Sequence, residues 1–192
     1  MKFKNVLLLL FVLICVRTNA QKNNIEVSLV TQQMLGDNSS FEGGSGRTNF
    51  KIDDFWGYGL QTGINIGRFN MGIDFIFGAT KLTSTNNFNL KVSCFDLDFE
   101  YSFLEKSFSP LLAAGIGSVN YNESFTSAAG LNESDFSYNV GAGVKWIIAS
   151  KFYLKPMYRI TFSKIKDSTD ALAYKGFSIG IGYVFTPKMF RK

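Results

Sequence analysis

Cys94-Phe95-Asp96-Leu97-Asp98-Phe99-Glu100-Tyr101-Ser102-Phe103 alternates without a break. Phe95, Leu97, Phe99, Tyr101 and Phe103 fall on one side of an extended chain, and Asp96, Asp98, Glu100 and Ser102 on the other. Successive side chains of a strand point to opposite faces, so period two means a strand with two unlike faces. One face here is large and apolar, and the other carries three carboxylates. A soluble sheet turns its apolar face into a core. A membrane barrel turns it out to lipid and points its charges into the lumen. The rest of the chain decides between them.

The same alternation recurs along the sequence. With the quoted stretch extended to 90–103, eight strands are expected, the others at 25–35, 55–66, 71–82, 110–121, 136–148, 152–163 and 175–185. Ile25, Val27 and Leu29 share one face of the first. In the second, Trp56, Tyr58, Leu60, Ile64 and Ile66 oppose Gly57, Gly59, Gln61, Gly63 and Asn65. Met71, Ile73, Phe75 and Phe77 oppose Gly72, Asp74 and Gly78 in the third. Phe136, Tyr138, Val140, Val144 and Trp146 oppose Ser137, Asn139, Gly141, Gly143 and Lys145 in the sixth. Leu154, Tyr158, Ile160 and Phe162 oppose Lys155, Arg159 and Thr161 in the seventh, where Pro156 predicts a bulge because proline cannot donate to a ladder. Phe177, Ile179, Ile181, Tyr183 and Phe185 oppose Ser178, Gly180 and Gly182 in the eighth. The fifth has no legible phase, since Leu111-Leu112-Ala113-Ala114 is apolar on both sides.

Connections after strands two, four and six are short, and those after one, three, five and seven are mostly longer and polar. Short turns at one end and long loops at the other describe an up-and-down antiparallel barrel with both termini at the short-turn end. The first long connection, 36–54, contains Glu42-Gly43-Gly44-Ser45-Gly46. Gly43-Gly44-Ser45-Gly46 has neither the lysine nor the strand–loop–helix setting of a phosphate loop and reads as a flexible loop. Asn38-Ser39-Ser40, Asn122-Glu123-Ser124 and Asn132-Glu133-Ser134 match the glycosylation acceptor pattern but read as polar loop composition. Acidic loop residues such as Asp37, Asp53 and Asp54 match no calcium-loop spacing.

Composition narrows the function classes. The 192 residues suit one domain, and 20 Phe and 18 Gly against 3 Pro favour strands. Histidine is absent, which excludes Ser-His-Asp and Cys-His catalysis and the usual His-bearing metal sites. No catalytic residue, metal site or cofactor is expected. Residues 1–20 read as a secretory signal, with Lys2 and Lys4 at the start, an apolar run from Val6 to Val16 and the exit Thr18-Asn19-Ala20. That run is about eleven residues, against the roughly 20 of a spanning helix. Ile14 precedes Cys15, which does not resemble a lipoprotein signal. Cleavage after Ala20 leaves a barrel domain over 21–192 with Cys94 alone, so no intramolecular disulfide forms. It also removes three of the 20 basic residues, leaving 17 against 15 acidic. The formal +5 is therefore no sign of nucleic-acid binding.

Charge placement favours the membrane. Asp74, Asp96, Asp98, Glu100, Lys145, Lys155 and Arg159 all lie on the face opposite the apolar one. Aromatic residues gather near strand ends, among them Trp56, Tyr58, Tyr101, Trp146, Tyr183 and Phe185, as in interfacial girdles. Together with Phe75 and Phe99 they are expected to face lipid. The alternative of a soluble exported ligand-binding barrel would bury Phe75 and Phe99 in a lumen.

The export signal, eight alternating strands, inner glycines and the last strand Gly176-Phe177-Ser178-Ile179-Gly180-Ile181-Gly182-Tyr183-Val184-Phe185 resemble the small outer-membrane β-barrel proteins of Gram-negative bacteria. The similarity is to the porin-like family common in Bacteroidota, with an OmpA/OmpX-type barrel. It implies a cell outer membrane location, lipid contact, periplasmic chaperoning and insertion by the outer-membrane assembly machinery. The family's terminal aromatic normally closes the chain, whereas Phe185 is followed here by seven residues, 186–192, including Phe190.

Acids come from the third and fourth strands and bases from the sixth and seventh, so they face each other across the ring. An eight-stranded interior is only wide enough for side chains to fill it. An ion-pair network that plugs the lumen is the leading reading, because buried charges need partners. A narrow charged path for ions or small solutes, as in a small porin-type channel, is the alternative. Acid–base chemistry by Asp96 and Asp98 ranks behind both. The expected protein is a monomer with a structural or surface-interaction role, meeting any surface partner through its long loops.

Overall fold

The computed structural model describes residues 24–43, 46–83, 87–104, 107–123, 132–149, 151–163 and 172–186. The expected leader, 1–20, and Phe190 lie outside them. Ten strands follow one another: β1 (Asn24–Met34), β2 (Asn38–Gly43), β3 (Gly46–Ile52), β4 (Phe55–Ile66), β5 (Phe69–Thr83), β6 (Asn87–Ser102), β7 (Phe108–Glu123), β8 (Asn132–Ile147), β9 (Phe152–Ser163) and β10 (Leu172–Phe185). Eight form a closed antiparallel barrel in which β4 to β10 each pair with the next. Val27 of β1 sits between Thr62 of β4 and Tyr183 of β10, so the first and last strands close the ring. Closure leaves no free edge in the wall.

The alternation sets the two faces as expected. Along β4 the even residues from Trp56 to Ile66 point outward, and Gly57, Gln61, Gly63 and Asn65 are buried. Aromatic pairs on the outer wall are register partners. Phe75 opposes Phe95 with ring centroids 4.8 Å apart, and Tyr138 opposes Phe162 at 4.8 Å. Such cross-strand pairs stabilise a sheet and pin its register. The β4–β5 turn is only Gly67-Arg68, with Ile66 paired to Phe69, and Gly67 takes φ 68°. A two-residue hairpin turn needs positive φ, which glycine adopts without strain. The fifth barrel strand, β7, resolves its phase by burying Leu111 and Ala113 and exposing Leu112 and Ile116.

Two expectations need correction. Residues 36–54, expected as a polar, glycine-rich connection with a flexible loop at Gly43-Gly44-Ser45-Gly46, contain the β2–β3 hairpin, paired from Asn38↔Lys51 to Gly43↔Gly46. Its ladder pairs with the barrel rim among the described residues are Lys51↔Thr83 and Ile52↔Leu82 of β5. Phe50 and Ile52 anchor it, because both bury in the apolar core of the long-loop end. Pro156 makes no bulge either. The β8–β9 ladder runs from Ser137↔Ser163 to Gly143↔Met157, skips two pairs, and resumes at Trp146↔Leu154 in the same register. On the other side Pro156 pairs with Ile179 in an unbroken ladder. The missing N–H is absorbed as a local gap, and the outward ring displaces no lumen side chain.

The lumen has two layers. Toward the long loops it is apolar: Met34, Ile52, Phe55, Ile76, Leu82, Leu90, Val92, Cys94, Val119, Tyr121 and Tyr174 pack together. Toward the short turns it is polar and charged, with a smaller patch of Leu111, Ala113 and Met157 among the charges.

Candidate functional site

The charged layer is built by register. Asp74 of β5 is opposite Asp96 of β6, Gly72 opposite Asp98, and Asn70 opposite Glu100. On the next strand Asp96 faces Gly117 and Asp98 faces Gly115. A carboxylate therefore has bare backbone beside it, and the room it needs. The bases have the same arrangement: Arg159 lies between Gly141 and Gly176, and Lys155 opposite Gly180. The Lys155 side chain lies against Gly180, and Arg159 crosses the lumen from between its two glycine neighbours.

Arg159 reaches two acids on the far wall. Its Nη1 donates to Asp74 Oδ2 at 2.9 Å and its Nη2 to Asp98 Oδ2 at 2.5 Å. Lys155 Nζ donates to Glu100 Oε1 at 2.6 Å and to Gln61 Oε1, while Gln61 Nε2 donates to the same Glu100 oxygen at 3.2 Å. Asn139 Nδ2 donates to Asp98 Oδ1 at 3.0 Å, and Ser137 Oγ to Asp96 Oδ1 at 3.1 Å. Asp96 is thus held by a hydroxyl and has no salt bridge among the described residues. Asp74, Asp96, Asp98, Glu100, Lys155 and Arg159 are all buried. Lys145 is 13% exposed and pairs with Glu26 at the short-turn end.

Glu26 belongs to this network and was not among the expected residues. Its Oε2 also accepts from Asn70 Nδ2 at 3.4 Å, and that amide donates to Asn65 Oδ1 at 2.9 Å. The signal was present: Glu26 lies between Ile25 and Val27, on the face opposite the apolar one. Asp74 Oδ1 and Arg159 Nε have no hydrogen-bond partner among the described residues. Breaking a buried pair from one side costs far more than the pair contributes, because it strands the other charge. The network therefore acts as a set of cross-braces, tying β5 and β6 to β9 and β8.

No group of three or more His, Cys, Asp or Glu that would hold a metal ion occurs among the described residues. Cys94 is buried in the apolar layer.

The residues expected to face lipid lie on the outer wall. Trp56 and Tyr58 sit near the long-loop end at 51% and 65% exposure, Phe75 in mid-strand and Phe99 closer to the short-turn end, both at 43%. Tyr101, Trp146, Tyr183 and Phe185 ring the short-turn end. There Tyr101 packs on Phe69 and Phe103, and Tyr183 on Phe152 and Phe185. Outward Phe75 and Phe99 are the reverse of what a soluble ligand-binding barrel requires.

The comparisons agree with this geometry. A family model described as an outer membrane protein beta-barrel domain matches residues 6–185. OprG from Pseudomonas aeruginosa superposes with a TM-score of 0.65 at 10% identity, covering 87% of this chain and 98% of that one. Neisserial surface protein A gives 0.55 at 11% identity, covering 87% and 98%. The N-terminal barrel domain of Pseudomonas aeruginosa OprF gives 0.51 at 17%, covering 86% and 98%. No curated protein matches the sequence.

Proposed function

The chain belongs to the outer membrane protein β-barrel family, and on that premise we propose that it is a sealed integral barrel, one that conducts neither ions nor solutes. The carrying observation is Arg159, buried and bonded to both Asp74 and Asp98 across the lumen. Beyond that brace the apolar layer with Cys94, Tyr121 and Tyr174 occupies the long-loop half of the same lumen. A water path would have to cross both layers, and eight strands leave an interior that side chains fill.

In this reading the leader 1–20 directs export and the long-loop end lies outside the cell. The apolar wall holds the barrel in lipid as a monomer after passage through periplasmic chaperones and the assembly machinery. The work is structural and interactive, with no catalysis, and any surface partner meets the loops and the β2–β3 hairpin.

Solute efflux from vesicles tests the seal. Proteoliposomes loaded with a small sugar and carrying only barrel of heat-shifted gel mobility should empty no faster than protein-free vesicles. Efflux that scales with the amount of folded barrel would overturn the sealed reading in favour of a small porin-type channel.

A further inference from the structure

Among the described residues, charge on the outer wall is confined and has one sign. Among the described residues, the charged side chains facing outward from the barrel strands are Lys81, Lys91 and Lys175, all at the long-loop end. Lys91 is opposite Ala79, and Lys81 two residues further along the same strand, so the two lysines are diagonal neighbours on β5 and β6. Diagonal neighbours stand roughly 7–8 Å apart, close enough for one tetrahedral anion to bridge both ammonium groups. They line a cleft of about 410 Å³ with Asp53, Asp54 and Asn89, where the hairpin leaves the wall.

The two acids of the cleft keep their charge but bond away from Lys81 and Lys91. Asp54 Oδ1 accepts from the Gly36 N–H at 2.8 Å. Asp53 Oδ2 accepts from Thr83 Oγ1 at 3.4 Å, and its other oxygen faces Lys51 at 3.8 Å. Neither Lys81 nor Lys91 has an ion-pair partner among the described residues. Directly below them on the wall lie Phe77, Phe75 and Phe95, all exposed. A cationic pair immediately above an apolar aromatic wall matches a molecule with an anionic head and acyl chains.

We propose that Lys81 and Lys91 bind the phosphate of an outer-leaflet lipid headgroup, with its acyl chains lying along Phe75, Phe77 and Phe95. This rests on the orientation in which the long loops lie outside the cell. The site fixes a lipid at one place on the barrel, beside the β2–β3 hairpin. Lys175, on β10 and away from this cleft, is the control.

The test uses folded barrel in detergent and measures affinity for diphosphorylated lipid A, for the same lipid A after removal of its phosphates, and for inorganic phosphate. Wild type should prefer the phosphorylated lipid, and Lys81→Gln/Lys91→Gln should weaken that binding roughly tenfold or more, since each basic group near an anionic lipid surface contributes substantially. Lys175→Gln should leave it unchanged. Equal binding of the dephosphorylated lipid, no loss in the double variant, or an equal loss in Lys175→Gln would overturn the proposal. Inorganic phosphate competing as well as the lipid at equal phosphate concentration would mark a soluble-anion site and would also overturn it. Heat-shifted mobility of each variant keeps misfolding apart from lost binding, and vesicle efflux, which does not involve these lysines, reports separately on the sealed lumen.

Discussion

Arg159 Nη2 lies 2.5 Å from Asp98 Oδ2, although the two residues are on strands at opposite sides of the barrel. The contact spans the lumen, and the same guanidinium holds Asp74. Arginine suits the task because its planar fork offers parallel donors at fixed angles. Replacing it with methionine keeps most of the bulk and leaves two acids facing one another in a buried space. Arg159→Met should lower stability by about 3–5 kcal/mol, the range for breaking a buried pair from one side. Urea unfolding of vesicle-inserted barrel, followed by loss of heat-shifted mobility, measures it. Unchanged stability would mean that Arg159 is not a brace.

Glu26 gives a graded comparison. Its partner Lys145 is partly exposed, so water compensates some of what a substitution removes. Glu26→Gln should therefore cost less than Arg159→Met in the same assay, on the order of 1–2 kcal/mol. A larger loss than at Arg159 would place the main brace at the short-turn end.

The inner glycines separate by what surrounds them. A Cβ at Gly115 would run into Asp98 Oδ1 and Asn139 Nδ2, which are bonded to each other. At Gly180 the nearest atoms, on Lys155 and Ser28, are 3.7 Å away, ordinary contact. Gly115→Ala should cost about 1–3 kcal/mol through overpacking. Gly180→Ala should stay within about 0.5 kcal/mol of wild type. Equal effects at the two sites would remove the case that glycines are placed to make room for the acids.

Strands and faces were legible because each outward position is apolar and the neighbouring one is small or charged, as in Phe95 to Phe103. That rule fails where both faces are apolar. Leu111 and Ala113 turn inward to pack with Met157, so β7 shows no alternation where it begins. It fails again in the long-loop half of the lumen, where Ile76, Val92 and Cys94 share the inward phase of Asp74, Asp96 and Asp98 but fill an apolar core. The hairpin escaped notice because its glycines and serines outweighed the brief alternation of Asn49-Phe50-Lys51-Ile52. Only tertiary burial of Phe50 and Ile52 makes that segment a strand. The acids and bases were assigned to one face by phase alone, whereas their pairing needs the curvature of the closed ring.

Cys94 reports on the apolar layer. It is the sole cysteine of a chain lacking 1–20 and is buried among Ile76, Val92 and Val119. Folded barrel should resist a small polar maleimide for hours and react with one equivalent after unfolding. Rapid labelling of folded barrel would mean that water reaches the layer.

The two tryptophans test how the barrel sits in lipid. Trp56 is outward near the long-loop end and Trp146 outward near the short-turn end. Each single-tryptophan variant should be quenched more by lipids brominated close to the headgroup than by lipids brominated deep in the chain, because aromatic belts mark both interfaces. In the same membranes Phe75→Arg, near the middle of β5, should cost about 2–4 kcal/mol. No quenching of either tryptophan by any brominated lipid would contradict the outward girdles.

Planar-bilayer recording tests the sealed lumen most directly. On the proposed reading, in which Arg159, Asp74 and Asp98 close one half of the lumen and the apolar layer the other, wild-type barrel of proven heat-shifted mobility should insert and remain electrically silent. Steady, reproducible conductance steps whose ion selectivity changes on Asp74→Asn would contradict the account and make the same charges the lining of a channel.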